Sequence, residues 1–370
     1  MAQNEIMQLS EVIKAIEAFA PLSYQESYDN AGLITGNPEQ EITGALICLD
    51  STEEIIDEAI RENCNLVIAH HPIIFSGLKK INGKNYVERT IIKAIKNDIA
   101  IYAAHTNLDN VSMGVNAKIA EKSGLKNCSV LQPKSGLLKK LMTFCPNEKA
   151  AEVRDALFKA GAGKIGNYDE CSYNVEGFGT FRAGEGTKPF VGEQNIQHQE
   201  SETRIETIFP AQLQSKILKA LFVTHPYEEV AYDIYTLENE YNQVGSGLIG
   251  ELEKPQDELT FLKSLKTSLK TDCVRYTALT GKKIKKVAVC GGAGSFLLKD
   301  AVSSGADAFV TADLKYHQFF DSEGKILLAD VGHFESEQFT GEIFYDLLME
   351  KFPTFAVRLS KTNTNPVNYL

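Results

Sequence analysis

Asn65-Leu66-Val67-Ile68-Ala69-His70-His71-Pro72 is the stretch around which the chain is organised. Its first half is a short apolar run rich in branched residues, the mark of a buried strand. Pro72 disfavours helix at His71 and holds it extended. Successive side chains on an extended backbone point opposite ways. A histidine pair at such a strand end can therefore reach two metal ions rather than chelate one. Two polar loop residues are the plain alternative, because histidine is an ordinary surface residue as well as the commonest metal ligand.

The flanking sequence reads as alternating strands and helices. Residues 9–20 carry Val12, Ile13, Ile16 and Phe19 at helical spacing. A polar loop follows at 26–32, where Asp29 and Asn30 could face a cleft, although loop capping is the favoured reading. Residues 45–50 form an apolar strand, and Ser51 with Glu54 three residues on resembles a helix start. A helix over 53–63 then leads into the strand before the histidine pair. This β-α-β order implies a parallel sheet with a right-handed crossover. After a loop at 73–82 and a helix over 86–97, the apolar run 99–104 is a further strand. It delivers His105-Thr106-Asn107-Leu108-Asp109. Ligands collect at the C-terminal strand ends of such sheets, so His70, His71, His105 and Asp109 meet at one edge. A helix over 114–123 and the segment 130–133 close this first α/β lobe, residues 1–133.

The texture changes from Lys134. A strand at 141–145, a helix over 148–160, short Gly-punctuated strands, a strand at 202–210, a helix over 211–223 and a strand at 230–237 suggest a ferredoxin-like α+β insert, residues 134–240. Residues 184–201 read as a mobile hairpin or loop, with His198 a solvated residue. Thr224-His225-Pro226-Tyr227-Glu228-Glu229 holds a histidine and two carboxylates, but a structural turn is favoured over a second metal site.

α/β texture resumes in residues 241–370, the second lobe. The strand 285–290 runs into Gly291-Gly292-Ala293-Gly294-Ser295 and a helix over 296–304. A glycine-rich turn of this kind is either an anion nest at a helix N-terminus or a tight packing turn; it is no Walker A loop. Strands at 308–311 and 326–331 end at Asp313 with His317 and at His333-Phe334-Glu335-Ser336-Glu337. A helix over 337–349 and a strand at 355–359 complete the chain. His333 and Glu337, four apart at a helix start, can share a face; Glu335 replaces Glu337 if the helix begins late. Three imidazoles and two carboxylates suit two borderline divalent ions such as zinc, iron or manganese. His105, Asp313 and His317 then stand behind the ligands or serve as proton donors.

The 370 residues suggest about two domains. No apolar run is long enough for a membrane span, and residues 1–5 lack the basic and apolar regions of a signal peptide; a cytoplasmic protein is expected. Seven scattered cysteines without a CxxC fit reduced thiols. The net charge of −11 argues against nucleic acid or an anionic membrane as partner.

His70-His71-Pro72, His105-Thr106-Asn107-Leu108-Asp109, Gly291-Gly292-Ala293-Gly294, Thr311-Ala312-Asp313 with His317, and Gly332-His333 with Glu337 together resemble the GTP cyclohydrolase I type 2 homolog family, the NGG-interacting-factor-like dinuclear-metal proteins. The resemblance implies metal ligands at His70, His71, Asp109, His333 and Glu337, a CutA-like or P-II-like insert, and a toroidal homohexamer. Ala312 stands where the family has glycine, and Glu335 is an extra carboxylate beside Glu337. The implied activity is metal-dependent hydrolysis of a nucleotide-like substrate, GTP ring opening or phosphoester cleavage, with any phosphate held at Gly291 to Ser295. The alternative is a non-catalytic metal-binding or regulatory ring acting through partners of its insert.

Overall fold

The computed structural model describes residues 7–370; residues 1–5, read above for a signal sequence, lie outside the described residues. The protein is a mixed α/β structure. Contacts divide it into two units. The first runs to Pro133 and resumes from Asn242 to Leu370; the second is Lys134–Tyr241.

The first unit holds two larger sheets. One has the strand order Val357–Leu359, Ala45–Asp50, Leu66–His71, Ala100–Ala103, Gly32–Thr35. The first four strands run parallel and Gly32–Thr35 is antiparallel. The central strands are continuous apolar runs because both faces are covered. Ile55, Ile56 and Ala59 of helix Glu53–Arg61, with Ile91 and Ala94 of helix Tyr86–Lys96, pack on Leu46, Val67 and Ile101. The first of these helices is capped by Thr52, whose Oγ1 accepts from the Ile55 amide at 3.4 Å, rather than by Ser51.

The other sheet has the order Arg275–Tyr276, Leu327–Asp330, Ala308–Thr311, Lys283–Val289, Tyr241–Asp257, Leu125–Lys134. Lys283–Val289, Ala308–Thr311 and Leu327–Asp330 are parallel. Tyr241–Asp257 runs antiparallel to them, its register broken between Glu251 and Gln256. Each sheet therefore takes a strand from the far end of the chain. Leu125–Lys134 joins the sheet of the C-terminal half, and Val357–Leu359 joins that of the N-terminal half. The expected lobes share strands, and neither sheet is complete without the other's sequence.

The second unit is a four-stranded antiparallel sheet in the order Tyr232–Leu237, Leu138–Pro146, Gln197–Pro210, Tyr173–Arg182. Helices Ala150–Ala160 and Gln214–Thr224 bring Val153, Leu157, Ile217 and Leu221 onto Leu141, Cys145, Ile205 and Phe209. Strand Gln197–Pro210 begins inside the stretch expected to be a mobile loop, because residues 197–201 pair with 178–182 of the neighbouring strand. All seven cysteines are unpaired. No helix among the described residues is long and apolar enough to cross a membrane.

The chain end is tied down by one buried carboxylate. Glu58 accepts from Ser360 Oγ at 2.6 Å, the Lys361 amide at 2.8 Å and Thr362 Oγ1 at 2.7 Å. Burial opposes its charge, but these donors hold its pKa below the ordinary value. Glu58→Ala is expected to lower the unfolding free energy at pH 7 by about 2–3 kcal/mol, since it strands several donors. Urea unfolding checks this. The difference from the parent shrinks as the pH falls through the lowered pKa, where the parent loses the same contacts.

Candidate metal centre

Two strand ends meet at Glu337. Its Oε2 lies 3.0 Å from His71 Nε2, 3.1 Å from His333 Nε2 and 3.8 Å from His70 Nε2. Helix His333–Glu337 begins at Gly332, directly after strand Leu327–Asp330, so its first and last residues share one face. Glu335 points away: its Oε1 accepts from Asn365 at 3.1 Å.

Each imidazole is fixed through its far nitrogen. His70 Nδ1 donates to the Ala104 carbonyl at 2.9 Å, His71 Nδ1 to Asp50 Oδ1 at 2.7 Å, and His333 Nδ1 to Asp313 Oδ2 at 2.8 Å. His105 Nδ1 donates to Asp29 Oδ1 at 2.8 Å. These bonds turn the Nε2 atoms of the first three rings toward Glu337, and those of His71 and His333 lie 3.3 Å apart. Such backing carboxylates and carbonyls set the tautomer of metal-ligating histidines.

The electrostatics follow from one buried carboxylate among rings. Burial works against the Glu337 charge, but hydrogen bonds from His333 and His71 hold its pKa well below the ordinary value. For His71, burial is outweighed by the carboxylates on both nitrogens, and its pKa rises to about 10. For His333, burial is likewise outweighed by Glu337 and Asp313, and the value is about 9. His70 lies deeper; burial pushes it down to about 3, so it is neutral. Burial and the Glu337 charge raise Asp109 well above the carboxylate range.

Two polar atoms of this cluster are left without hydrogen-bond partners. His70 Nε2 and Asp109 Oδ1 are both buried without a hydrogen bond and stand 3.5 Å from each other. Unpaired buried polar atoms are costly. A neutral imidazole nitrogen facing a carboxylate oxygen is a donor set that a cation satisfies. Among the described residues, three groups could hold an ion: His71, His333 and Glu337; His70, Asp109 and Glu337; and His70, His71 and His105. A cavity of about 450 Å³ opens beside them, walled by Tyr28, Phe75 and Phe296.

The glycine loop is explained by packing. Gly292 has φ +57°, and a Cβ there would lie 2.6 Å from Glu337 Oε1. The amides of Gly291, Gly292 and Gly294 donate to Asn116 Oδ1, Ser336 Oγ and Thr311 Oγ1 at 3.0, 3.0 and 2.9 Å. Three of the five amides of the expected anion nest (Gly291, Gly292, Ala293, Gly294, Ser295) are thus spent inside the protein. His317 is exposed against Tyr316 and Phe320 and belongs to none of the three groups. Asp29 takes the His105 ring and also the Thr106 amide, and its side chain is fully buried, so it caps the loop and backs His105 rather than facing the cavity itself. Asp50 was missed: it pairs with His71 in parallel register at the adjacent strand end. In the second unit, His225 spends Nε2 on the Phe144 carbonyl and Nδ1 on the Tyr227 amide, which is a structural turn. His198 is not free in solvent but held by Glu200 at 2.8 Å.

Comparison with known proteins agrees across the chain. The family model Duf34/NIF3 (NGG1p interacting factor 3) matches residues 7–366. Proteins of Bacillus subtilis and Halalkalibacterium halodurans, each named GTP cyclohydrolase 1 type 2 homolog, are 39% and 40% identical over 365 residues, covering 97% of this chain and 98% of theirs. The crystal structure of a Bacillus cereus protein related to NIF3 superposes with a TM-score of 0.87 at 39% identity, over 99% of this chain and 100% of that one. A Staphylococcus aureus structure gives 0.79 at 29% identity, over the whole of both chains. The chain belongs to the Duf34/NIF3 family.

Proposed function

We propose that the protein holds two divalent cations at Glu337 and hydrolyses a small nucleotide-like substrate with them. The observation that carries this reading is the sharing of Glu337 by two ligand groups, His71 with His333 and His70 with Asp109. The buried, unpartnered His70 Nε2 and Asp109 Oδ1 support it. Nitrogen and oxygen donors together suit zinc, iron or manganese. Two such ions, when bound, activate water near neutral pH and polarise the centre it attacks.

The chain's own residues do the rest. Asp50, Asp313 and the Ala104 carbonyl keep the ligand rings in the tautomer that offers Nε2. His105, backed by Asp29, has Nε2 free on the cavity side to take up or return a proton. Tyr28, Phe75 and Phe296 offer ring faces to a planar base. The relatives' name points to GTP as the first substrate to try. The reading includes residues 134–240 as a separate insert, assembly into a toroidal homohexamer and a cytoplasmic location, all carried over from the family resemblance and composition.

A nucleotide panel with the metal-loaded protein tests the function. Turnover of at least one member is expected, and His71→Ala, which removes a ligand, is expected to abolish it and to lower metal affinity by more than the roughly 10–100-fold typical of a residue behind the ligands. Full turnover by the metal-depleted variant, or silence across the panel, contradicts the reading.

The pKa values give an independent check. At pH 8, before an ion binds, His71 and His333 both carry a proton, their values being about 10 and about 9. A ligating imidazole must be neutral, so metal binding releases protons. Zinc binding at pH 8 is expected to release about two protons per chain, read from calorimetric enthalpies in buffers of different ionisation heat. The apparent affinity then rises with pH, more gently above about 9, and levels off only above about 10. Binding without proton release contradicts the ligand assignment.

A further inference from the structure

The second unit contains a cavity of about 630 Å³ that the metal centre does not use. It lies on the sheet face opposite the helices. Side chains alternate along a strand, and Ile205 points into the helix-covered core. Glu202 and Arg204, on the same strand, therefore project from the other face. Phe144, Phe181, Phe190 and Tyr227 line the cavity beside Glu202. Tyr227 is flanked by Phe181 and Phe190, each with ring centroids 6.3 Å away.

Glu202 is buried, with 9% exposure. Its Oε1 accepts from Tyr227 Oη at 2.8 Å. Its Oε2 lies over Gly179, where a Cβ would come within 2.0 Å of it. The glycine thus leaves room for the carboxylate. The hydrogen bonds and ion pairs of the described residues give Oε2 no donor. Three more carboxylates, Glu176, Glu228 and Glu229, stand at the cavity against two guanidiniums. One of these, Arg204, is engaged by Glu206 at 3.1 Å.

With Oε1 held by Tyr227, Oε2 is left as a negative charge facing an aromatic-lined cavity, which a cation would complete. Aromatic faces attract cations within about 6 Å of their centroids. We propose that this cavity binds an organic cation, an ammonium- or amine-bearing small molecule whose charge sits against Glu202 Oε2 and the rings of Tyr227, Phe181 and Phe190. Recognition needs only the second unit and does not depend on the reading of the metal centre.

Calorimetric titration of the full chain with choline and with its neutral isostere 3,3-dimethylbutan-1-ol tests this. Choline is expected to saturate one site per chain and to bind at least tenfold more tightly than the isostere. Glu202→Gln is expected to weaken choline binding at least tenfold, with an unchanged circular dichroism spectrum and zinc content. Should that variant fail to fold, Phe181→Leu keeps the apolar wall and is expected to weaken choline at least threefold. Equal binding of choline and the isostere, or no saturable choline binding, overturns the proposal. Saturable binding of inorganic phosphate in place of choline, through Arg182 and Arg204, overturns it as well.

Discussion

A carboxylate that is almost wholly buried, Glu337, must be surrounded by positive partners, and the rest of the first unit supplies them. His71 and His333 hold it from two strand ends, and His70 lies just beyond. Removing an ion from water is tolerable only when charge and hydrogen bonds replace the lost solvent. Each ring that meets Glu337 is backed by a second acceptor, so the cluster is a closed arrangement two layers deep. Asp109, raised by the same burial and by the Glu337 charge, stands beside His70 and Glu337 in the same donor set.

The topology explains how residues 266 positions apart come within hydrogen-bond distance. Parallel strands deliver their C-terminal ends to one edge, and both sheets do so. Exchange of Leu125–Lys134 and Val357–Leu359 between the two halves of the chain ties the sheets together. Gly292 completes the approach, since any side chain at its positive φ would occupy the space of the Glu337 carboxylate. The last residues add a further brace: Thr364 donates to Asp50, the residue that orients His71.

Much of this was legible because apolar runs in parallel sheets are unambiguous. Ala45–Asp50 and Ala308–Thr311 appear with the expected limits, and His70, His71, Asp109, His333 and Glu337 do converge. What was illegible lacked a local signature. Strand Tyr241–Asp257 is rich in polar residues and glycine and did not stand out by period, whereas helix Glu258–Ser268, with Phe261, Leu262 and Leu265 at helical spacing, carried a signal that was not read. The strand exchange depends on long-range pairing that no window of sequence contains. Asp50 was hidden for the same reason, since its role appears only when its strand is laid beside that of His71. The glycine loop has the composition of an anion nest, and only its side-chain partners Asn116, Thr311 and Ser336 show that the amides serve packing.

The second unit follows different rules. Its helix-covered face is an ordinary core, whereas the opposite face keeps a carboxylate and several rings around open space. The first unit thus leaves imidazole nitrogens and carboxylates facing one another, a donor set for borderline divalent ions, whereas the second leaves a carboxylate among aromatic rings. The account rests most heavily on Glu337 as the carboxylate shared by two ions. Native mass spectrometry of zinc-loaded protein measures this directly. Two ions per chain in the parent and none retained in Glu337→Gln is the predicted result. A Glu337→Gln chain that still carries two ions would contradict it.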